Sequence, residues 1–161
     1  MELLLRSSLE HFKFPEGFWF EDTPVSFILA FMPYQFDVID EFVYGYRKNP
    51  NGITSTAWKA KKAVDSYWIT ERCLEELPRF GVAYDQDTYE YLLRQCVMNW
   101  RRTRHQPRKV RKAIFILTCR LIDTYFKNMR SSTLGMDELE DIFRNFEFIR
   151  YESFMLGWSQ E

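Results

Sequence analysis

The sequence predicts an all-α fold, a single compact domain of about seven helices that spans residues 1–161. Apolar residues recur at intervals of three or four along most of the chain, and Pro and Gly fall between these runs. A chain of 161 residues is long enough for one hydrophobic core but not comfortably for two. Aromatic residues make up 18% of the chain beside only six Gly and six Pro, which indicates that most rings pack in a helical core.

The N-terminal third is predicted to form three helices and one loop. A short helix is predicted for residues 1–12, and a loop follows in KFPEGFWFED, where a Pro and a Gly interrupt the period. Thr23 is a candidate N-cap followed by a first-turn Pro, and it begins a helix that runs to about Met32. A third helix is predicted for residues 34–47. Its apolar positions are Phe36, Ile39, Val43 and Tyr46.

Two longer helices are predicted in the middle of the chain. The first covers residues 57–77, and Pro78 and Gly81 end it. Asp87 and Glu90 have the spacing of a capping box and predict the start of the second. That second helix has the most regular amphipathic pattern in the sequence, with apolar residues at Tyr89, Leu92, Leu93, Cys96, Val97 and Trp100.

The last two predicted helices follow Pro107. The first of them begins at this proline, runs to about Met129 and has a broad apolar stripe, so it is predicted to be the most buried helix. Together with the helix before it, it forms an antiparallel hairpin near residues 88–130. The final helix begins near Met136, where two acidic residues suit the helix dipole, and ends near Ser153. An extended conformation of FEFIRYESF is the alternative for its end.

Cysteine usage and hydropathy indicate where the protein resides. Cys73, Cys96 and Cys119 are an odd set without a Cys-x-x-Cys pair, and each has apolar neighbours. This pattern predicts buried, reduced thiols and a cytoplasmic location. No run approaches the roughly 18 apolar residues that a membrane-spanning helix needs. The beginning of the chain, MELLLRSSLEHF, does not have the pattern of a signal peptide.

Charge is distributed very unevenly along a chain whose net charge is −1. Residues 100–130 contain ten Lys or Arg and one acidic residue, whereas residues 131–161 contain two Lys or Arg and seven acidic residues. Seven of the twelve residues from Arg101 to Lys112 are basic, and five of these seven are Arg. This asymmetry is the most specific functional signal in the sequence.

The basic cluster lies where one helix ends and the next begins. A helix C-terminus favours cations, but four cations in the first turns of the next helix oppose its dipole. Free backbone amides and Arg side chains at such a position are suited to phosphate oxygens. We therefore expect contact with the nucleic-acid sugar-phosphate backbone, DNA or RNA, with weak sequence preference. The predicted binding residues are Arg101, Arg102, Arg104, His105, Arg108, Lys109, Arg111 and Lys112.

Two other interpretations of the basic cluster are open. Its cations can form a solvated face that pairs with the acidic C-terminal segment. They can also bind an acidic protein surface, including a second copy of the chain, which would give a homo-oligomer. Trp100 borders the cluster and could stack on a base, but its helical phase matches the buried stripe. A helix-turn-helix reader of DNA is disfavoured, because the helix after the turn is mostly apolar beyond Lys112.

The aromatic loop near the N-terminus provides an alternative functional surface. Its rings either complete the core or form an anchor patch for a partner protein, with Phe18, Trp19 and Phe20 as the partner-binding residues. In the latter case the protein is an interaction module or an inhibitor. Lys59, Lys61 and Lys62 would extend the basic surface if they fold beside the basic cluster.

The sequence contains no catalytic motif, and we expect a non-enzymatic protein without a cofactor or a bound metal. A metal-dependent enzyme is a distant alternative. It would use three carboxylates with helical spacing, Asp37, Asp40 and Glu41. A second carboxylate set would have to face them, and Asp137, Glu138, Glu140 and Asp141 are the candidates. The preferred expectation is a small helical nucleic-acid-binding protein or a subunit of a nucleoprotein complex.

Overall fold

The computed structural model describes residues 13–32, 40–47, 49–52, 56 and 60–158. These residues form six α-helices and no strand, which confirms the all-α prediction. The helices are α1 (Thr23–Leu29), α2 (Asp65–Glu76), α3 (Gln86–Thr103), α4 (Arg108–Phe126), α5 (Met136–Arg144) and α6 (Phe148–Trp158). The helix predicted for residues 1–12 and the first part of the one predicted for residues 34–47 lie outside the described residues.

One hydrophobic core connects these helices. Helix α1 packs on α2, α2 packs on α3 and α4, and α5 lies against both α4 and α6. The core contains fully buried side chains from α3, α4 and α5, among them Leu92, Leu93, Phe115, Ile122, Leu139 and Phe143. Several partly buried aromatic residues pack around it, as expected from the aromatic content of the chain.

Helices α3 and α4 form the predicted antiparallel hairpin. At one end the rings of Tyr89 and Phe126 have centroids 5.2 Å apart. At the other end the Arg111 guanidinium lies 5.5 Å from the ring centroid of Trp100. An early residue of α3 thus meets the last residue of α4, while a late residue of α3 meets an early residue of α4. This order requires the two helices to run in opposite directions.

The capping box of α3 begins two residues earlier than predicted. The backbone N–H of Thr88 donates to Asp85 Oδ1 at 3.0 Å, and the N–H of Asp85 donates to Thr88 Oγ1 at 2.8 Å. Glu90, the predicted capping partner of Asp87, is buried inside the helix instead. Its carboxylate accepts the backbone N–H of Ser132 at 2.6 Å, so it stabilises the connection between α4 and α5 rather than the start of α3.

Short 3₁₀ turns flank α2. The turn Lys61–Val64 precedes the helix, and Ala60 before it has an extended backbone, so the helix predicted for residues 57–77 is interrupted at Ala60. Residues 57–59 lie outside the described residues. The turn Leu77–Phe80 follows α2 and ends at Gly81, which has a φ of 71°. Gly tolerates this left-handed conformation because it has no Cβ, and the predicted stop at this position is confirmed.

The prediction that a helix continues to Arg47 is wrong for residues 40–47, which are not helical. The apolar side chains that suggested it, among them Val43 and Tyr46, are exposed. A short amphipathic helix gains most of its stability from packing its apolar face against other elements. Helical spacing in this segment is therefore not accompanied by the burial that would stabilise a helix.

The single helix predicted from Met136 to about Ser153 is two helices, separated by Asn145–Glu147. The extended alternative is also wrong, because α6 is helical from Phe148. Phe143 and Phe148 are both buried. In one continuous helix, residues five positions apart would point about 140° away from each other. The break between α5 and α6 allows both rings to enter the same core.

The prediction that the helix after Pro107 is the most buried is wrong, because α3 contains more buried residues than α4. One edge of the apolar stripe of α4, with Ile114, Leu117 and Tyr125, is only partly buried.

The prediction for the cysteines agrees with the structure. Cys73, Cys96 and Cys119 are buried and free, as predicted. Burial raises the pKa of all three thiols, that of Cys119 to about 12. None of the helices in the described part of the chain has both the length and the apolar character needed to cross a membrane.

A buried ion pair connects α5 to the end of α4. Glu140 is 2% exposed and accepts Arg144 Nε at 2.7 Å and the backbone N–H of Ser131 at 2.6 Å. Arg144 also donates to the carbonyls of Phe126 and Lys127, each at 3.0 Å. Burial alone would raise the pKa of Glu140, but the Ser131 N–H and the Arg144 guanidinium outweigh it and hold that pKa below its usual value.

We predict that Glu140→Gln lowers the free energy of unfolding by about 3 kcal/mol, because it leaves the Arg144 guanidinium without its buried counter-charge. Urea unfolding followed by circular dichroism measures this loss. Glu75→Gln is the matched control, since Glu75 pairs with Arg72 on the surface, and it should cost less than about 1 kcal/mol. Equal losses in the two variants would contradict the assigned role of the buried pair.

The same pair predicts a pH dependence of stability. A carboxyl whose folded-state pKa is lowered contributes stability above its unfolded pKa, and this contribution is lost as the pH falls through the folded value. Stability of the unmodified protein should therefore decrease as the pH falls below 4.5, the ordinary Glu value. Glu140→Gln should show a shallower decrease over that range, and parallel curves would contradict the prediction.

Candidate nucleic-acid interface

The connection between α3 and α4, together with the adjoining turns of both helices, carries the predicted binding residues. We call residues 101–112 the hairpin tip. Gln106 fixes the connection, because its Nε2 donates to the Ala60 carbonyl at 2.8 Å and its backbone N–H donates to the Thr103 carbonyl at 2.8 Å. Pro107 is the N-cap of α4 and supplies no side-chain cap. The N–H groups of the first two residues of α4 have no acceptor within the described residues, so they are available to an anion.

Arg102 of the hairpin tip is part of the fold. Its guanidinium lies 3.9 Å from the ring centroid of Phe20, and its Nη1 donates to Ser66 Oγ at 3.1 Å. The burial that accompanies these contacts lowers the pKa of Arg102. This side chain therefore connects the end of α3 to the aromatic loop and to α2.

Arg108 and Arg111 bind a carboxylate of the last helix. Glu152 Oε2 lies 2.9 Å from Arg108 Nε, and Glu152 Oε1 lies 2.9 Å from Arg111 Nη2. The Arg111 side chain is 20% exposed and lies beside the buried ring of Trp100. Part of the basic cluster is thus neutralised by the acidic C-terminal segment, as one of the interpretations of the sequence expected.

Four cations of the hairpin tip have a different environment. They are exposed, and no carboxylate of the described residues lies within salt-bridge distance of any of them. These residues, which we call the free cations, are Arg101, Arg104, Lys109 and Lys112. His105 is exposed among them, and its Nε2 accepts Arg104 Nε at 3.1 Å. The two Lys are three positions apart on α4 and therefore share one face of the helix.

The basic surface continues onto the segment before α2. The bond between Gln106 and Ala60 places this segment beside the hairpin tip, and the next residue, Lys61, is exposed. Lys62 Nζ donates to the Gly17 carbonyl at 3.0 Å. Lys59 lies outside the described residues. The proposed extension of the basic surface therefore has structural support at Lys61.

A groove with a volume of about 650 Å³ adjoins the hairpin tip, where the first turns of α4 and α6 meet. It is lined by Arg108, Lys112, Phe146, Glu147, Phe148, Ile149 and Arg150. Phe148 is buried against Phe115, with ring centroids 5.5 Å apart, and Arg108 lies 5.3 Å from the Phe148 ring centroid. Arg150 pairs with Glu138 at 3.1 Å and with Glu147 at 3.0 Å. The groove combines three cations with exposed apolar surface.

Of the residues that line this groove, sequence reasoning identified Arg108 and Lys112 but missed those that follow α5, among them Phe146 and Arg150. It placed both inside one continuous helix, where no feature distinguished them from a solvated face. Trp100, which the sequence offered as a base-stacking residue, is buried and packs on Tyr151 with ring centroids 5.3 Å apart. Trp100 therefore packs in the core beneath the hairpin tip and is not accessible to a base.

The aromatic loop, residues 13–22, contacts both the start of α2 and the hairpin tip, where Phe20 lies against Arg102. Phe18 is exposed, whereas Trp19 and Phe20 are partly buried. The backbone N–H of Trp19 donates to Asp65 Oδ2 at 3.0 Å. The loop thus covers the start of α2 without entering the centre of the core. Phe18 and its neighbours line a second groove of about 370 Å³ with Trp68, which is also exposed.

The carboxylates considered for a metal site are not brought together in the described part of the chain. Asp40 and Glu41 are exposed on the non-helical segment, and Asp37 lies outside the described residues. Glu140 of the proposed second set is buried in its ion pair with Arg144. Among the described residues no three Asp, Glu, His or Cys side chains are grouped as metal ligands.

Comparisons with known proteins complete the description of the site. No protein-family model matches this chain, and neither the curated proteins nor the solved structures contain a significant match.

Substitution of a residue in an ion pair of the hairpin tip should affect stability more than substitution of a free cation. Glu152→Ala should lower the free energy of unfolding by about 2 kcal/mol, because the mostly buried Arg111 loses a charged hydrogen-bond partner. Lys112→Ala should change it by less than about 0.5 kcal/mol, as expected for an exposed residue without a partner. Chemical denaturation measures both values. A loss at Lys112 as large as that at Glu152 would show that the free cations also stabilise the fold.

Proposed function

We propose that this protein binds nucleic acid through the sugar-phosphate backbone, alone or as a subunit of a nucleoprotein complex, with the hairpin tip as its contact surface. The observation that carries the proposal is the exposure of the four free cations. Unpaired cations grouped at one end of a hairpin attract a polyanion and release its counterions on binding. Within this proposal the protein acts by binding, without catalysis or a cofactor.

The ion pairs of the acidic C-terminal segment support the proposal. Its paired carboxylates bind cations other than the four free ones. Glu138 and Glu147 pair with Arg150, Glu140 pairs with Arg130 and Arg144, and Glu152 pairs with Arg108 and Arg111. The acidic segment therefore neutralises these Arg residues, and the free cations remain available to a ligand.

Contact with phosphate suits the geometry better than reading of base edges. Arg guanidinium groups can bind phosphate oxygens in a bidentate manner, and the free N–H groups at the start of α4 add donors. Beyond Lys112 the helix turns a buried face with Phe115 and Cys119 towards the core. On its outer face, α4 has only apolar side chains between Lys112 and Arg120, where Ala113 is exposed and Ile116 and Leu117 are partly buried. This part of the helix offers no polar side chains to base edges, and we expect weak sequence preference.

A second candidate function is protein binding at the aromatic groove. Phe14, Phe18 and Trp68 are exposed there, and exposed aromatic side chains beside a groove are typical anchors for a partner. Replacement of Phe18 by Ala would then remove a co-purifying partner or change the oligomeric state, while binding to nucleic acid would be unchanged.

We predict that a triple reversal, Arg101→Glu, Lys109→Glu and Lys112→Glu, abolishes binding to a labelled mixed-sequence oligonucleotide of about 20 nucleotides. Fluorescence anisotropy with DNA and RNA measures the dissociation constant between about 50 and 200 mM salt. The affinity of the unmodified protein should weaken steeply with salt. Reversal of the charge of one cation that neutralises one phosphate should lower the slope of log Kd against log salt concentration by about 1.

The matched control reverses the same number of exposed cations elsewhere on the same hairpin. Arg94 lies on α3, Arg120 lies on α4, and Lys127 is the C-cap of α4, so the triple Glu variant has the same net charge as the test variant. The control should retain most of the affinity. Equal losses in both variants would indicate non-specific attraction, and no binding of DNA or RNA at low salt would overturn the proposal.

A further inference from the structure

Phe146 has an unusual backbone conformation in the connection between α5 and α6. Its N–H donates to the Phe143 carbonyl at 3.2 Å, and the N–H of Glu147 donates to the Ile142 carbonyl at 3.1 Å. These two bonds form a Schellman motif, which places Phe146 at the position that Gly usually occupies. Its φ of 55° is in the left-handed region, where a residue with a Cβ is strained.

Packing explains a Phe at this position only in part, because the residue lies near Cys119 and Ile122 of α4 but half of its surface is exposed. The side chain is 52% exposed, whereas the neighbouring rings of Phe143 and Phe148 are buried. Gly would form the same turn without strain and without exposing an aromatic surface. Strained positions that the fold does not require are often found at functional sites. The ring of Phe146 is therefore a candidate contact surface.

The surroundings of the ring indicate the chemistry of its ligand. Phe146 lines the groove beside the hairpin tip together with Arg108, Lys112 and Arg150. A planar aromatic surface next to Lys and Arg side chains is the combination that proteins use for single-stranded nucleic acid, in which bases stack on rings and phosphates contact cations. Lys112 belongs to both the groove and the free cations, so the two surfaces are continuous.

The carboxylates around the groove do not close it to a phosphate. Arg108 is paired with Glu152, and Arg150 is paired with Glu138 and Glu147, but the Arg108 side chain is 62% exposed and the Arg150 side chain is 48% exposed. Ion pairs in contact with water are weak and exchange readily for another anion. Lys112 has no such partner within the described residues. A strand that approaches from the hairpin tip meets the unpaired cation first.

We propose that Phe146 stacks on an unpaired base, so that this protein prefers single-stranded to double-stranded nucleic acid. This inference rests on the proposed function, because the phosphates that lead a strand to the ring are bound by the hairpin tip. A duplex hides its base faces in the stack, so it can contact the free cations but not the Phe146 ring. The groove thus determines the form of nucleic acid that is bound, while the tip supplies the contact to its backbone.

The test compares three ligands of equal length. They are a single-stranded oligonucleotide of about 20 nucleotides, the same backbone without bases, and the corresponding duplex. The unmodified protein should bind the base-carrying strand about tenfold more tightly than the abasic strand. Phe146→Gly should remove this advantage and leave the affinity for the abasic strand unchanged.

Two further variants separate stacking from folding. Gly is favoured at this position, so Phe146→Gly should have an unchanged or higher unfolding temperature, and Phe146→Trp should retain the preference for bases because it keeps a ring. Phe14→Gly is the matched control, since Phe14 is also 52% exposed but lies in the groove beside the aromatic loop. It should leave all three affinities unchanged.

The possible failures are distinguishable. Equal affinity of the unmodified protein for base-carrying and abasic strands, with no effect of Phe146→Gly, would overturn the stacking inference and leave backbone binding in place. Equal losses for the base-carrying and abasic strands in Phe146→Gly would also overturn it. No affinity for any of the three ligands would overturn the proposed function together with the inference.

Discussion

The position of the candidate interface depends on the buried pair of Glu140 and Arg144, which lies at the opposite end of α4. Arg144 donates to two carbonyls at the end of α4, and Glu140 accepts the N–H of Ser131 in the connection that follows. Because Arg144 is the last residue of α5, these bonds also determine where the chain turns into α6. The connection between α5 and α6 places Phe146 in the groove, and α6 then runs along α4 and brings Glu152 to Arg108. The buried pair at one end of α4 thus helps to determine the position of the candidate interface at the other end.

The fold divides the basic residues of the hairpin tip into two groups. Arg102 stacks on Phe20, and Arg111 binds Glu152 beside Trp100, so both contribute to the packing of the helices. The free cations make no comparable contact with a carboxylate in the described part of the chain. A protein that needed positive charge only for solubility would have no reason to group unpaired cations at one tip. The grouping is consistent with a polyanionic ligand, and the groove beside it contributes a ring that such a ligand can use.

The hairpin could be predicted from the sequence because the apolar periodicity of α3 is regular and its apolar side chains are buried. The broad apolar stripe of α4 also predicted a helix, but it overstated the burial, since Ile114, Leu117 and Tyr125 are only partly buried. Residues 40–47 have similar spacing without burial, and there the pattern failed. The break at Phe146 was missed because no Gly or Pro marks it. The position of the basic cluster could be predicted from the sequence, but which of its cations are paired within the fold and which are free could not. Phe20 and Glu152, which distinguish Arg102 and Arg111 from Lys109, are distant in the chain and become neighbours only in the folded protein.

Photochemical crosslinking to a single-stranded oligonucleotide that carries 5-iodouracil maps the protein residues in contact with the bases. It therefore tests directly whether a nucleic acid bound at the hairpin tip places a base on Phe146. Mass spectrometry of the crosslinked peptides identifies the site. We expect crosslinks to Phe146 in the peptide between α5 and α6, which competing unlabelled single strands suppress and high salt weakens. Crosslinks confined to the aromatic loop or to Trp68, or no crosslink at low salt, would contradict it.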